Sequence, residues 1–220
     1  MISIEKIDLI VFDFDGVLAE SVDVKTCAYV SLFEEYGQDV ISKVVDYHIK
    51  NGGVSRFVKL KTIYDKILKK PLSEDKFKSL SEQFSSIVVD EVVAAPWVPG
   101  AKDFLIRNKN QYIFFVISGT PEDELKGIVR RRKMDHFFDS VRGAPKDKVS
   151  LLKEVMIEYH LESEEVAFIG DAETDWCAAR ETNVPFILRC TSNQENSISD
   201  YTGPRLSSLN ELDSNLRKLI

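Results

Sequence analysis

The sequence predicts an α/β protein: a Rossmann-like, doubly wound parallel sheet core with an inserted all-helical cap. Three observations predict it. Short, nearly continuous apolar runs recur along the chain, as strands covered on both faces require. Helical patterns lie between them, and strand alternating with helix builds a parallel sheet. One long stretch, residues 22–95, breaks that alternation and contains no convincing strand.

The strand at 7–14 is nearly continuously apolar and ends in Asp13, with Asp15 just beyond it. Its counterparts are 111–118 (QYIFFVIS), 165–170 (EVAFIG) and 184–188 (VPFIL), with a weaker one at 137–142. A helix at 100–109 follows the turn Pro99-Gly100. The helix at 121–133 opens with Pro121 and the acids Glu122, Asp123 and Glu124, which suit a helix N-terminus. Val149, Leu152, Val155 and Met156 recur at helical spacing over 147–160, and a further helix spans 173–182. The interrupting stretch carries helical patterns at 23–36, 38–50, 54–69 and 74–94. The chain therefore divides into a core, 1–20 and 96–220, and a cap, 21–95. The tail from 200 to 220 is polar apart from one helical patch, Leu206 to Leu219.

The totals narrow the class. The 220 residues are 44% hydrophobic and 30% charged, enough for a substantial buried core. A net charge of −7 argues against nucleic acid or an anionic membrane as partner. No apolar run reaches the roughly 18 residues of a membrane helix, and the Met1 segment, with Glu5 and Asp8, does not read as a signal peptide. Cys27, Cys177 and Cys190 read as reduced, buried thiols of a cytoplasmic protein. His48, His136 and His160 are scattered and read as structural or surface residues.

In an open parallel sheet, ligands sit outside the carboxyl ends of the strands. Four such ends carry polar groups here: Asp13 and Asp15; Ser118-Gly119-Thr120; Lys146 and Lys148 at the start of a helix; Gly170-Asp171, with Asp175 four residues on. Carboxylates crowded together repel, and a hard divalent cation, Mg²⁺, resolves that repulsion. A carboxylate beside a metal can attack phosphorus.

These residues carry a resemblance. Asp13-Phe14-Asp15-Gly16-Val17-Leu18 resembles the first motif of the haloacid dehalogenase-like (HAD) hydrolases. Ser118, Lys148 and Gly170-Asp171-Ala172-Glu173-Thr174-Asp175 resemble the second, third and fourth, in the family's order. The helical insertion is similar to the C1-type cap of the phosphoglycolate phosphatase and β-phosphoglucomutase branch. The resemblance implies a Mg²⁺-dependent phosphatase, working through an aspartyl-phosphate, for a small phosphorylated metabolite such as a sugar phosphate or a phosphoglycolate-like acid. It implies Asp13 as nucleophile and Asp15 as general acid/base. It implies Ser118, with Gly119, at the phosphoryl oxygens. Lys148, or Lys146 as the alternate, would be the neutralising cation. Asp13, the Asp15 carbonyl and Asp171 would hold the metal. Asp175 would join them directly or through water, or orient Lys148.

Within the cap, Gly53-Val54-Ser55-Arg56 resembles a segment whose arginine contacts a sugar phosphate, so Arg56 is either a substrate contact or an ordinary surface residue. Glu20 and Ser21 occupy the hinge. Lys25 stands where the mutase places a histidine, which speaks against a phosphomutase. A non-catalytic binding protein on the same scaffold is the other alternative. The run Arg130-Arg131-Arg132-Lys133 and the lysines of 59–70 read as solvated faces, and a monomer is expected.

Overall fold

The structure is a computed structural model that describes residues 7–190, 198 and 200–219. The Met1 segment, and the parts of the expected core at 1–6, 191–197, 199 and 220, lie outside the described residues. Six strands form one sheet among those residues: β1 (Leu9–Phe12), β2 (Ile113–Pro121), β3 (Ser140–Ala144), β4 (Val166–Gly170), β5 (Phe186–Arg189) and β6 (Arg205–Leu206). Their order is β3-β2-β1-β4-β5-β6, and every pairing is parallel.

The apolar runs are continuous because the sheet is covered on both sides. Ile10, Phe12, Phe114, Val116, Ala167 and Ile169 enter one core. Leu9, Val11, Phe115, Ile117, Val166 and Phe168, one residue out of phase, enter the other. Successive side chains of a strand point to opposite faces, so both registers must be apolar.

Between β1 and β2 the chain forms α1 (Val22–Leu32), α2 (Gln38–Lys50), α3 (Arg56–Thr62), which continues as a π-helical turn over Ile63–Leu68, and α4 (Glu74–Ala94). The Ser73 hydroxyl caps α4 by accepting the Lys76 N–H at 3.3 Å. Phe14 and Leu18 of the core share one apolar cluster with Tyr29, Phe33, Phe84 and Val88 of these helices. The two strands of chain that join the helices to the sheet lie side by side. Glu20 N–H donates to the Pro96 carbonyl at 2.9 Å and Val98 N–H to that of Leu18 at 3.1 Å.

The remaining helices are α5 (Ala101–Asn108), α6 (Glu122–Arg131), α7 (Lys148–Tyr159), α8 (Glu173–Thr182) and α9 (Leu212–Leu216). Among the described residues no helix is long and apolar enough to cross a membrane.

The structure shifts three sequence expectations. The weak strand at 137–142 begins at Ser140, because Asp135–Phe137 closes a 3-10 turn after Lys133 takes a left-handed φ of 56°. Within the patch Leu206 to Leu219 the α-helix covers only Leu212–Leu216, and Leu206 pairs into the sheet instead. Of the three cysteines, all free, only Cys190 is buried; Cys27 is exposed and Cys177 half-buried.

Candidate active site

The pairing register puts the polar strand ends together. Phe12 lies opposite Val116 on β2 and Ile169 on β4. Asp13 is therefore level with Gly170 and one step below Ser118. The chain reverses direction across the sheet at β1, so this edge is its topological switch point.

Asp13, 3% exposed, accepts its neighbour Phe14's N–H at 2.7 Å. Lys148 is the first residue of α7, whose N-cap Asp147 accepts the Ser150 N–H at 2.8 Å. The Lys148 ammonium lies 2.9 Å from Asp13 and 2.5 Å from Asp175. Lys146, the alternate, is exposed, points away and pairs with Glu154 at 2.7 Å.

Asp175 sits fully buried in the first turn of α8. Its second carboxylate oxygen accepts the N–H groups of Asp171 at 3.2 Å and Ala172 at 3.1 Å. Asp171 closes the cluster from the β4–α8 turn. Carboxylate oxygens of Asp13, Asp171 and Asp175 all lie within 4.8 Å of one another. Gly16, at a φ of +77°, leaves room for this: a Cβ there would overlap the Asp171 carboxylate.

The electrostatics follow from crowding. Burial pushes Asp13 up to about 6 against the pull of Lys148, with Asp175 and Asp15 adding repulsion. Asp171 is raised well above the carboxylate range by burial and then by Asp13 and Asp175. Lys148 is raised, because Asp13 and Asp175 outweigh the burial that opposes them. Three carboxylates against one ammonium leave a site that suits a hard divalent cation with oxygen ligands.

Asp15 is held differently. Its carboxylate pairs with Lys25 of α1 and accepts the Ser21 hydroxyl at 2.6 Å and the Thr120 hydroxyl at 3.3 Å. Burial alone would raise Asp15, but Lys25 and these hydroxyls hold it below the usual range. Ser118 is buried, and its hydroxyl oxygen accepts the Thr120 N–H at 3.2 Å. Gly119 touches the cap: a Cβ there would overlap the Gly53 carbonyl oxygen. The Thr174 hydroxyl donates to the Gly52 carbonyl at 3.1 Å, closing the same seam from α8.

A cavity of about 720 Å³ lies between this edge and the helices above it. Asp13, Asp15, Ser118, Gly119 and Asp171 line its floor; Tyr29, His48, Arg56, Lys59 and Phe84 line its roof. Arg56 is 5% exposed and so is not a surface residue. It pairs with Glu124 of α6, donates to the Ser85 hydroxyl at 2.7 Å, and lies over the Phe84 ring at 4.5 Å.

Two solvated-face expectations need correction. Lys59 is 3% exposed, since Arg56, Lys59, Leu60 and Ile63 recur at helical spacing on the buried side of α3 and its extension. Arg132 is half-buried: it donates to the carbonyls of Val92 at 2.7 Å, Val93 at 3.0 Å and Ala95 at 2.6 Å, so it serves the C-terminus of α4 rather than its own helix alone. His48 is likewise a buried cavity residue.

Sequence reasoning did not assign Thr120 or Lys25 to Asp15, nor Arg189. The last ends β5, one residue beyond the expected strand, and binds the Gly16 carbonyl at 3.1 Å and Glu20 at 2.6 Å. Thr120, two residues past Ser118 on the same strand end, was the one with a usable sequence signal.

The fold and these strand-end motifs define a hydrolase of the haloacid dehalogenase type. The sequence model described as haloacid dehalogenase-like hydrolase matches residues 10–189, and the chain belongs to that family. Phosphoglycolate phosphatase 1 of Pseudomonas aeruginosa is 26% identical over an alignment of 185 residues that covers 80% of this chain and 66% of that protein, so the chain spans just under two thirds of this relative's length. Among solved structures, β-phosphoglucomutase of Clostridium difficile superposes with a TM-score of 0.77 at 19% identity, covering 96% of this chain and 98% of that one. A protein described as a predicted phosphoglycolate phosphatase, from Haemophilus somnus, gives 0.73 at 20%, covering 94% and 97%.

Proposed function

We propose that this protein is a Mg²⁺-dependent phosphatase that hydrolyses a small phosphorylated metabolite, a sugar phosphate or phosphoglycolate-like acid, through an aspartyl-phosphate. The observation that carries the reading is the convergence of buried Asp13 and Lys148 with half-buried Asp171 on the floor of the cavity, with Asp15 beside them.

Asp13 attacks phosphorus through a carboxylate oxygen, the bond from phosphorus to the leaving oxygen breaks, and Asp15 supplies that oxygen's proton. Water then attacks phosphorus, Asp15 takes a proton from it, and the bond to Asp13 breaks to release phosphate. Lys25 favours the carboxylate of Asp15, the form the second step needs, so the first step draws on the minor protonated form and the second restores that proton from water. Ser118 and the Gly119 main chain hold phosphoryl oxygens, and Lys148 neutralises their charge. Asp13, Asp171 and the Asp15 carbonyl would hold Mg²⁺, which when bound screens the phosphoryl charge from the attacking carboxylate. Asp175, its oxygens already engaged by Lys148 and two N–H groups, orients Lys148.

Residues 21–95 act as the cap and 1–20 with 96–220 as the core, hinged where Glu20 meets Pro96. Arg56 sets the roof of the cavity, and its guanidinium is shared with Glu124. The protein works as a cytoplasmic monomer. A phosphomutase is less favoured, because Lys25 stands in place of the mutase's histidine and is bound to Asp15.

The test is phosphate release from a panel of phosphorylated metabolites. Release with Mg²⁺ should fall at least about a hundredfold in EDTA, since the metal supplies several kcal/mol of charge stabilisation. A folded protein that releases nothing from any compound would overturn the reading. Gly119→Ala should lower kcat/KM by about tenfold or more, because its Cβ pushes the cap loop away and misplaces the roof. A rate unchanged by that substitution would show that the Gly119–Gly53 contact plays no part in turnover.

A further inference from the structure

The roof of the cavity holds three cations from the helices, and two are already matched. Lys25 pairs with Asp15, and Arg56 with Glu124. Lys59 is the exception. Its ammonium lies 2.8 Å from His48 Nδ1 and 3.2 Å from the His48 carbonyl oxygen, and it forms no ion pair among the described residues. Both residues line the cavity.

An ammonium in this place is costly to keep. Its hydrogen bonds go to neutral acceptors, which do not offset the loss of water around a full charge. Burial, and then the nearby charge of Lys25, lower Lys59 to about 7. Burial and then Lys59 drive His48 down to about 3, so His48 is neutral. With Lys59 donating to Nδ1, the ring proton sits on Nε2. The pair thus offers an ammonium and an imidazole N–H to the same cavity whose floor binds phosphate under the reading above.

We propose that Lys59 and His48 form a second anion subsite in the cap, and that it receives a carboxylate carried by the phosphorylated substrate. The subsite rests on the phosphatase reading for the position of the phosphoryl end. Charge matching selects the carboxylate: one unmatched ammonium is neutralised by one negative charge, whereas a second phosphate would bring nearly two. The substrate class is therefore a phosphorylated carboxylic acid rather than a neutral sugar phosphate or a bisphosphate.

The test measures binding apart from turnover. In the Asp13→Asn protein with Mg²⁺, calorimetry would compare ω-carboxyalkyl phosphates of increasing chain length, starting from phosphoglycolate, with alkyl phosphates of matching length, starting from ethyl phosphate. At the best length the carboxylate should bind at least tenfold tighter, and adding Lys59→Met should reduce that ratio to about threefold or less. A ratio near one at every length, or a ratio that survives Lys59→Met, would overturn the subsite. So would a bisphosphate of equal span that binds tighter than the carboxylate. The same Lys59→Met change in the otherwise unaltered chain should raise Tm by about 3 °C, because it removes a buried ammonium that has no ion-pair partner among the described residues. A Tm that falls would mean that Lys59 is structural. If wild type hydrolyses nothing yet the Asp13→Asn protein keeps the Lys59-dependent preference, the phosphatase reading falls and the subsite stands. If hydrolysis is found without that preference, the reverse holds.

Discussion

Asp13→Asn should abolish phosphate release, by at least about 10⁴-fold, and in EDTA it should make the protein more stable. The first effect follows from removing the attacking oxygen, whose loss no neighbouring group makes good. The second follows from crowding. Asp13, Asp171 and Asp175 face one another within 4.8 Å with a single ammonium between them, and burial has already pushed Asp13 up to about 6. Replacing one of these carboxylates by a neutral amide of the same shape relieves repulsion. Without metal, Tm should rise by about 2–4 °C, the shift that about 1 kcal/mol produces in a chain of this size. With Mg²⁺ the order should invert, since wild type gains the ligand that the variant lacks. Thermal unfolding with and without Mg²⁺ reads both. A lower Tm in EDTA would mean that the Lys148 ion pair outweighs the repulsion, contrary to the charge balance argued above.

Asp15→Asn should divide the reaction in two. The metal would use the main-chain carbonyl at this position, so Mg²⁺ affinity should change by less than about threefold. Turnover of alkyl phosphates should fall about 10²–10⁴-fold, the usual contribution of a positioned acid or base. An ester such as p-nitrophenyl phosphate leaves without needing a proton. It should give a burst of nitrophenol close to one equivalent per protein and then stall, because no base remains to activate water. Rapid-mixing absorbance would detect the burst. Equal loss of metal affinity and of rate, with no burst, would remove Asp15 from the acid/base role.

How much of this was legible depends on how each residue is positioned. Asp13, Ser118, Asp171 and Asp175 are placed by strand ends and by one helix turn, and apolar runs reveal where strands end. Lys148 was separable from Lys146 only by the fold, which turns the first inward between Asp13 and Asp175 and the second out toward Glu154. The partners of the cap were hidden for a different reason. Glu124 meets Arg56 from 68 residues away, and Arg132 reaches Val92 across 40. Charged residues at such separations look like solvated faces until the packing of α3, α4 and α6 is known. Lys59 lay between these cases: its spacing from Arg56, Leu60 and Ile63 marked a buried face, but a lysine there conflicts with the rule that unpaired charges stay in water. Such conflicts between local rules and burial tend to mark functional sites.

The grip of Arg132 on the last carbonyls of α4 has a mechanical consequence. A helix of 21 residues pinned at one end is a lever arm about 30 Å long. A tilt of about 10° about that end would carry Ser85, some nine residues from the pivot, through about 2.5 Å, and the far tip near Glu74 through about 5 Å. The 2.6 Å contact between Ser85 and Glu124 would part under the smaller of those displacements, and so would the Arg56 contact to the Ser85 hydroxyl, leaving Arg56 of α3 alone on Glu124.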